Sequence, residues 1–222
     1  MTERLPLFPL GTVLFPGMVL PLRLFEERYL ALLRDLLDRP APRRFGVVAI
    51  ELGHEVGPGA ARRLAEVGCV ADLREARARP DGRYDVVTVG RDRFRTKGVD
   101  SSGPYPRAEV EHLPEEAGAD AAAAAERALA AFRVYRHRMA AVGAPVPEVA
   151  GLADGRDAVA VSYDVAAAVV LDGPDKQRLL AAGDAARRLA AARALLAREN
   201  RLLRAFPTLP AGPFLDGSFH PN

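Results

Sequence analysis

The stretch from Leu5 to Leu22, LPLFPLGTVLFPGMVLPL, holds eighteen residues and no charge. Its apolarity and its place near the N-terminus suit a signal peptide or a membrane anchor. Its prolines do not. A spanning helix needs about 20 apolar residues whose backbone groups bond within the helix. Pro6, Pro9, Pro16 and Pro21 each remove an amide donor and clash with the preceding helical turn, at about 3 kcal/mol apiece. A secretory signal needs a basic start, an unbroken apolar stretch and a small-residue cleavage site. Here Glu3 offsets Arg4, and no A-x-A site follows. The run therefore predicts short buried extended segments with proline-fixed corners, in a cytoplasmic chain with no membrane partner.

The 222 residues, 49% of them hydrophobic, suffice for a sizeable core in one large domain or two small ones. The single cysteine, Cys69, cannot form an internal disulfide. The four histidines, His54, His112, His137 and His220, share no metal-ligand spacing, so neither a metal nor a cofactor is expected. A net charge of +2 does not by itself point to nucleic acid. Lys97 and Lys176 are the only lysines, and hence the only candidates for Schiff-base or Ser-Lys chemistry.

Hydrophobic periodicity divides the chain. Residues 26–38 read as a short amphipathic helix, and 45–52, 66–78, 84–99 and 105–113 as strands. Between the third and fourth of these segments, PDGR at 80–83 is a tight turn, with Asp-Gly supplying the hairpin geometry. Gly90 marks a bulge. From Pro114 onward the pattern is helical. Asp120, Asp157, Asp172 and Asp184 are candidate caps, and Gly143 is a C-terminal stop. The expected organisation is α+β: a β-rich subdomain over 1–116, a helical bundle over 117–206 and an irregular tail over 207–222. Leu209, Phe214 and Phe219 could dock that tail on the body.

No phosphate loop and no G-x-S-x-G elbow occurs. Ser162 and Lys176 form a Ser-Lys pair on paper, but nothing near Ser162 offers an oxyanion site, so both read as helix-surface residues with local bonds. Arg91, Arg93, Arg95 and Lys97 alternate along one strand and are expected on one sheet face. Such a stripe could bind phosphate or an acidic partner, or be a solvated face paired with nearby acids. Residues 176–204 carry eight basic residues against two acids, which reads first as a solvated helix face.

The opening LPLFPLGTVLFPGMVLPLRLFEERY at 5–29 resembles the start of the N-terminal substrate-binding domain of the Lon ATP-dependent proteases. FGVVAI, EVGCVADL, DGRYDVVTVGRDRF and YPRAEVEHL follow in that family's order, and 162–199 looks like its helical part, including Asp-Lys-Gln. The resemblance covers about residues 4–206. It implies a PUA-like β pseudo-barrel followed by a helical bundle, with the proline-rich run forming the opening strands of the barrel. It also implies binding of unfolded or extended polypeptide. These 222 residues contain neither the ATPase nor the Ser-Lys peptidase module of the proteases, so hydrolysis is not implied, and the expected role is a non-catalytic adaptor for a protease or chaperone. The peptide-binding candidates are Phe15, Arg23, Phe25, Glu26, Arg28 and Tyr29 of the opening motif and Arg91, Arg93 and Arg95 of the basic strand. Arg23, Glu26 and Arg28 are expected to reach the surface. A nucleic-acid-binding PUA-like protein is the rival reading, and a peptidase is a third, disfavoured one.

Overall fold

The computed structural model describes residues 2–54, 57, 61–147, 157–205 and 220–221. The expected irregular tail lies outside these, apart from His220 and Pro221, and the loops expected at 53–60 and 144–157 lie outside them in part. Two compact units emerge. One comprises residues 1–114, 173–180 and 219–222, and the other residues 115–172 and 181–218.

The first unit contains β1 (Thr2–Leu10), β2 (Val19–Leu24), α1 (Glu27–Leu37), β3 (Arg44–Gly53), β4 (Ala61–Leu64), β5 (Val67–Ala78), β6 (Tyr84–Asp100), β7 (Arg107–His112), α4 (Gly173–Leu180) and the two-residue β8 (His220–Pro221). Five strands close a ring, in which β3 pairs with β1, β1 with β7, β7 with β6, β6 with β5, and β5 with β3 again. Of the remaining strands, β4 attaches to β3, β2 to β6 and β8 to β2.

The ring explains the uncharged opening. Leu5 and Leu7 of β1 join Val48, Val70, Phe94, Ala108 and Val110, one apolar cluster drawn from all five ring strands. Phe8 and Leu10 join a second cluster with Leu20, Leu22 and Leu24 of β2 and Tyr29, Leu32, Leu33 and Leu36 of α1. A strand buried on both faces reads as a continuous apolar run instead of an alternating one. The prolines are tolerated because each half of β1 has one partner. Thr2–Pro6 pairs only with β7, and Leu7–Leu10 only with β3. A strand side without a partner does not miss the amide that proline lacks.

Phe94 fills the ring. A Cβ on Gly68 would lie 2.4 Å from its ring and 2.6 Å from the carbonyl oxygen of Val47, so this strand position must stay bare. The hairpin joining β5 to β6 turns where the sequence places it. The amide of Arg79 donates to the carbonyl of Arg83 at 2.8 Å, and Gly82 takes φ +79°.

Strand β6 is seventeen residues long and changes partners midway. Its first half pairs with β2, its second with β7. At the change, Gly90 pairs with Ala71 and Arg93 with Cys69, so two residues, Arg91 and Asp92, oppose Val70 alone. This is the bulge expected at Gly90.

The second unit holds α2 (Ala121–Ala141), α3 (Ala158–Ala168) and α5 (Ala185–Ala205). Asp184 caps α5 by accepting from the amide of Arg187 at 2.7 Å. Asp120 and Asp157 occupy the cap positions of α2 and α3 without a capping side-chain bond. The stop after α2 is as expected, with Gly143 at φ +70° and the amide of Ala144 donating to Met139 at 3.0 Å. Two residues read as helix surface are buried. Ser162 and Arg188 are both fully enclosed, with Arg188 Nη1 donating to Ser162 Oγ at 2.7 Å and its guanidinium 3.9 Å from the Tyr163 ring centroid. Most polar groups drawn into a core find such partners. The α+β class is as expected, and α4, which continues the helical sequence, belongs to the β-rich unit.

Candidate functional site

The residues of the opening motif divide into core and rim. Phe15 is fully buried. Tyr29 is buried too, with its ring centroid 4.2 Å from that of Phe8. Glu26 and Arg28, expected at the surface, are largely enclosed, their side chains 12% and 19% exposed. One oxygen of Glu26 accepts from Arg28 at 3.1 Å, the other from the amide of Gly57 at 3.0 Å, and the Arg28 guanidinium lies 4.4 Å from the Tyr29 ring centroid. The carboxylate thus ties a loop to the start of α1, which takes both side chains out of solvent. Arg23 does reach solvent. Its Nε donates to Asp85 at 3.2 Å, and Arg79 pairs with the same carboxylate. Burial pushes the Asp85 carboxyl up, but the hydrogen bonds and charges of Arg79 and Arg23 outweigh it and hold the group below its usual range. Phe25 is partly buried, with the Arg83 guanidinium 5.9 Å from its ring centroid.

The ammonium of Lys176 lies 5.6 Å from the Phe15 ring centroid. Part of this side chain stays at the surface, and burial of the rest pushes its pKa from 10.5 down to about 8. Between those values the unfolded chain holds a proton that the folded chain has released. Stability therefore rises from about pH 8 toward pH 10.5. Melting curves of the wild type and Lys176→Met at about pH 7 and about pH 9.5 check this, and the wild type should gain on the variant at the higher pH. Parallel curves would mean that Lys176 titrates as an ordinary surface lysine.

The basic strand does not present one face. Arg93 is 1% exposed. Its Nη1 donates to the carbonyl of Leu180 at 2.9 Å and its Nη2 to that of Pro114 at 3.3 Å. The bulge at Arg91–Asp92 puts Arg91 out of phase with the two arginines after it, and Arg93, which alternates regularly with Arg95, is enclosed because Leu180 at the end of α4 and Pro114 lie against it. The other members are each ion-paired: Arg91 with Asp72 at 3.2 Å, Arg95 with Glu66 at 2.7 Å and Lys97 with Glu111 at 2.5 Å.

Beside the bulge opens a cleft of about 290 Å³, lined by Pro16, Gly17, Arg44, Val89, Gly90, Arg91 and Asp92. Of the sequence candidates, only Arg91 lies on it. Its other charged partners escaped the sequence reading. Arg44 and Asp72 are directly opposite across the β3–β5 ladder but 28 residues apart in the chain, and no local pattern signals that pairing. The cleft adjoins the start of β2, whose Val19 is 58% exposed and pairs with Val89. On its side away from β6, β2 is paired only at Leu22 and Arg23, by His220–Pro221 in parallel register. Among the described residues, the rest of that edge has no strand partner. Nor do the described residues include a group of three or more His, Cys, Asp or Glu able to hold a metal ion, or a helix long and apolar enough to cross a membrane.

Residues 4–198 match the family described as the ATP-dependent protease La (LON) substrate-binding domain. The chain is 30% identical over 211 residues to Lon protease 2 of Sorangium cellulosum, a match covering 91% of this chain and 25% of that protein. It is 31% identical over 118 residues to protein cereblon of Danio rerio, covering 51% of this chain and 26% of that one. The chain thus spans about a quarter of each of these relatives. In three dimensions it resembles a Lon N-terminal domain protein from Xanthomonas campestris, with a TM-score of 0.58, 25% identity and coverage of 88% of this chain and 98% of that one. The fold also matches the N-terminal domain of Lon protease from the Mycobacterium avium complex, with a TM-score of 0.60, 17% identity and coverage of 90% and 98%. The opening strands, the five-strand ring and the helical unit after it are therefore those of a known family, and the chain belongs to the Lon substrate-binding domains.

Proposed function

We propose that this chain recognises extended segments of polypeptide in the cytoplasm, without hydrolysing them, and serves as an adaptor that presents them to a protease or chaperone. The observation that carries the reading is the edge of β2, which among the described residues has a strand partner only at Leu22 and Arg23. It already takes up a short strand, His220–Pro221, and an extended peptide added there would gain main-chain hydrogen bonds along the strand. Each end of this edge has an arginine group: Arg44 and Arg91 by the cleft, and Arg23 and Arg79 at Asp85.

Against a peptidase reading, the Ser162 hydroxyl is enclosed, donates to the carbonyl of Val159 at 2.6 Å and accepts from Arg188. Against a nucleic-acid reading, Arg95 and Lys97 are each matched by an acid of their own and Arg93 is enclosed, which removes most of the strand's field toward a phosphate backbone.

Fluorescence anisotropy of a labelled unfolded polypeptide, titrated with the protein at low and near-physiological salt, tests the proposal. Saturable binding that persists at the higher salt is expected. Absent binding, or binding that collapses as salt rises, would leave the shared fold without the shared role and favour a phosphate-bearing ligand.

A further inference from the structure

The cleft beside β2 is built on a charge imbalance. The guanidinium groups of Arg44, Arg74 and Arg91 converge on the carboxylate of Asp72, at 3.0, 3.5 and 3.2 Å. Asp72 is nearly buried, while the three arginine side chains remain 39%, 50% and 45% exposed. A guanidinium carries five N–H donors, and a carboxylate has roughly four acceptor sites. Asp72 therefore orients the arginines and leaves most of their donors available. The lining itself holds two arginines, Arg44 and Arg91, against one aspartate, Asp92, with Asp72 and Arg74 beside it.

The geometry favours a carboxylate over a phosphate. Phosphate sites commonly use backbone amides at glycines. Here the amide of Gly17 donates to the carbonyl of Gly90, and that of Gly90 to the carbonyl of Met18, both at 2.9 Å. Asp72 and Asp92 would repel a doubly charged anion more than a singly charged one. Pro16 and Val89 give the cleft an apolar wall, and exposed Val19 stands opposite Val89 on the neighbouring strand.

We propose that this cleft is the subsite for one carboxylate of the bound polypeptide, an aspartate or glutamate side chain or the C-terminal carboxyl, next to an apolar residue seated on Pro16 and Val19. Arg44 and Arg91 hold the carboxylate, and Asp72 positions them. The assignment rests on the reading of the chain as a polypeptide-recognition module.

Anisotropy with matched labelled peptides separates the two. One pair differs only by Glu against Gln beside a leucine, and another by a free against an amidated C-terminus. The wild-type protein should bind one acidic member about fivefold tighter than its neutral counterpart, the size of a charge-assisted contact still partly open to water. The preference should vanish in Arg44→Gln and in Arg91→Gln and persist in Arg95→Gln, whose partner Glu66 lies off the cleft. The peptide comparison needs no variant, so it stands even if one of these fails to fold. Equal binding of acidic and neutral peptides by the wild type overturns the subsite and leaves polypeptide recognition in place. Binding of neither overturns both. Displacement of the acidic peptide by inorganic phosphate at lower concentration than by acetate assigns the cleft to phosphate and overturns the proposal.

Discussion

Arg93→Ala lowers the stability of the β-rich unit by about 3 kcal/mol and its melting temperature by about 10 °C. The side chain is enclosed, and its two terminal nitrogens serve the carbonyls of Leu180, at the end of α4, and Pro114, beyond β7. Truncation leaves the buried carbonyl of Leu180 short of a donor and takes one from the half-open carbonyl of Pro114, and it opens a cavity where the side chain was. Arg95→Ala, two residues on, is the control. Its side chain is 42% exposed and pairs with Glu66 at the surface, so its loss costs at most about 1 kcal/mol. Thermal melts of the two variants side by side decide the matter. Equal melting temperatures would show that Arg93 is not the anchor its contacts describe. On the basic-stripe expectation, the two arginines would have been equivalent.

Gly90→Ala is the second large effect. A Cβ at this position would lie 2.1 Å from the carbonyl oxygen of Phe15 and 2.9 Å from its carbonyl carbon. Both are backbone atoms, and they belong to a segment held by two hydrogen bonds to Gly90 itself, from the amide of Gly17 and to the carbonyl of Met18. Relief therefore requires the Phe15–Met18 turn to move off the strand, at a cost of about 3 kcal/mol. The same turn lines the cleft, so peptide affinity should fall together with stability. Gly98→Ala, further along β6, meets nothing within 4 Å and should leave the denaturation midpoint almost unchanged. Urea titrations of the two variants provide the comparison. An unchanged midpoint for Gly90→Ala would mean that the turn and the strand are not in register as described.

The legible parts of the fold were those written in neighbouring residues. The hairpin at 79–83, the stop at Gly143 and the Asp184 cap each follow from a few adjacent side chains and backbone preferences. The bulge at Gly90 was legible as a place but not in its consequence. Alternation assigns Arg91, Arg93 and Arg95 to one face, and a single inserted residue takes Arg91 out of phase with the other two. Strand β4 was not singled out in the sequence. Of the candidate site, Arg91 could be singled out because it sits in a dense basic run. Arg44, Arg74 and Asp72 could not, because surface arginines and aspartates are common and their convergence arises from ladder pairing between distant segments.

By itself, the sequence of this protein determined that the proline-broken opening builds strands and not a membrane helix, that a β-rich half precedes a helical one, and which family the opening motif marks. These are properties of local backbone chemistry and of pattern, and they survive without knowledge of what lies opposite. Only the tertiary structure decided which charges are solvent and which are mortar. Arg93, Arg188 and Glu26 look like surface residues in a one-dimensional reading and are drawn inside. Arg44 and Arg91 remain outside and share one carboxylate. Burial of a charge depends on whether distant segments bring it partners, and that is settled by how strands and helices far apart in the chain pack against one another.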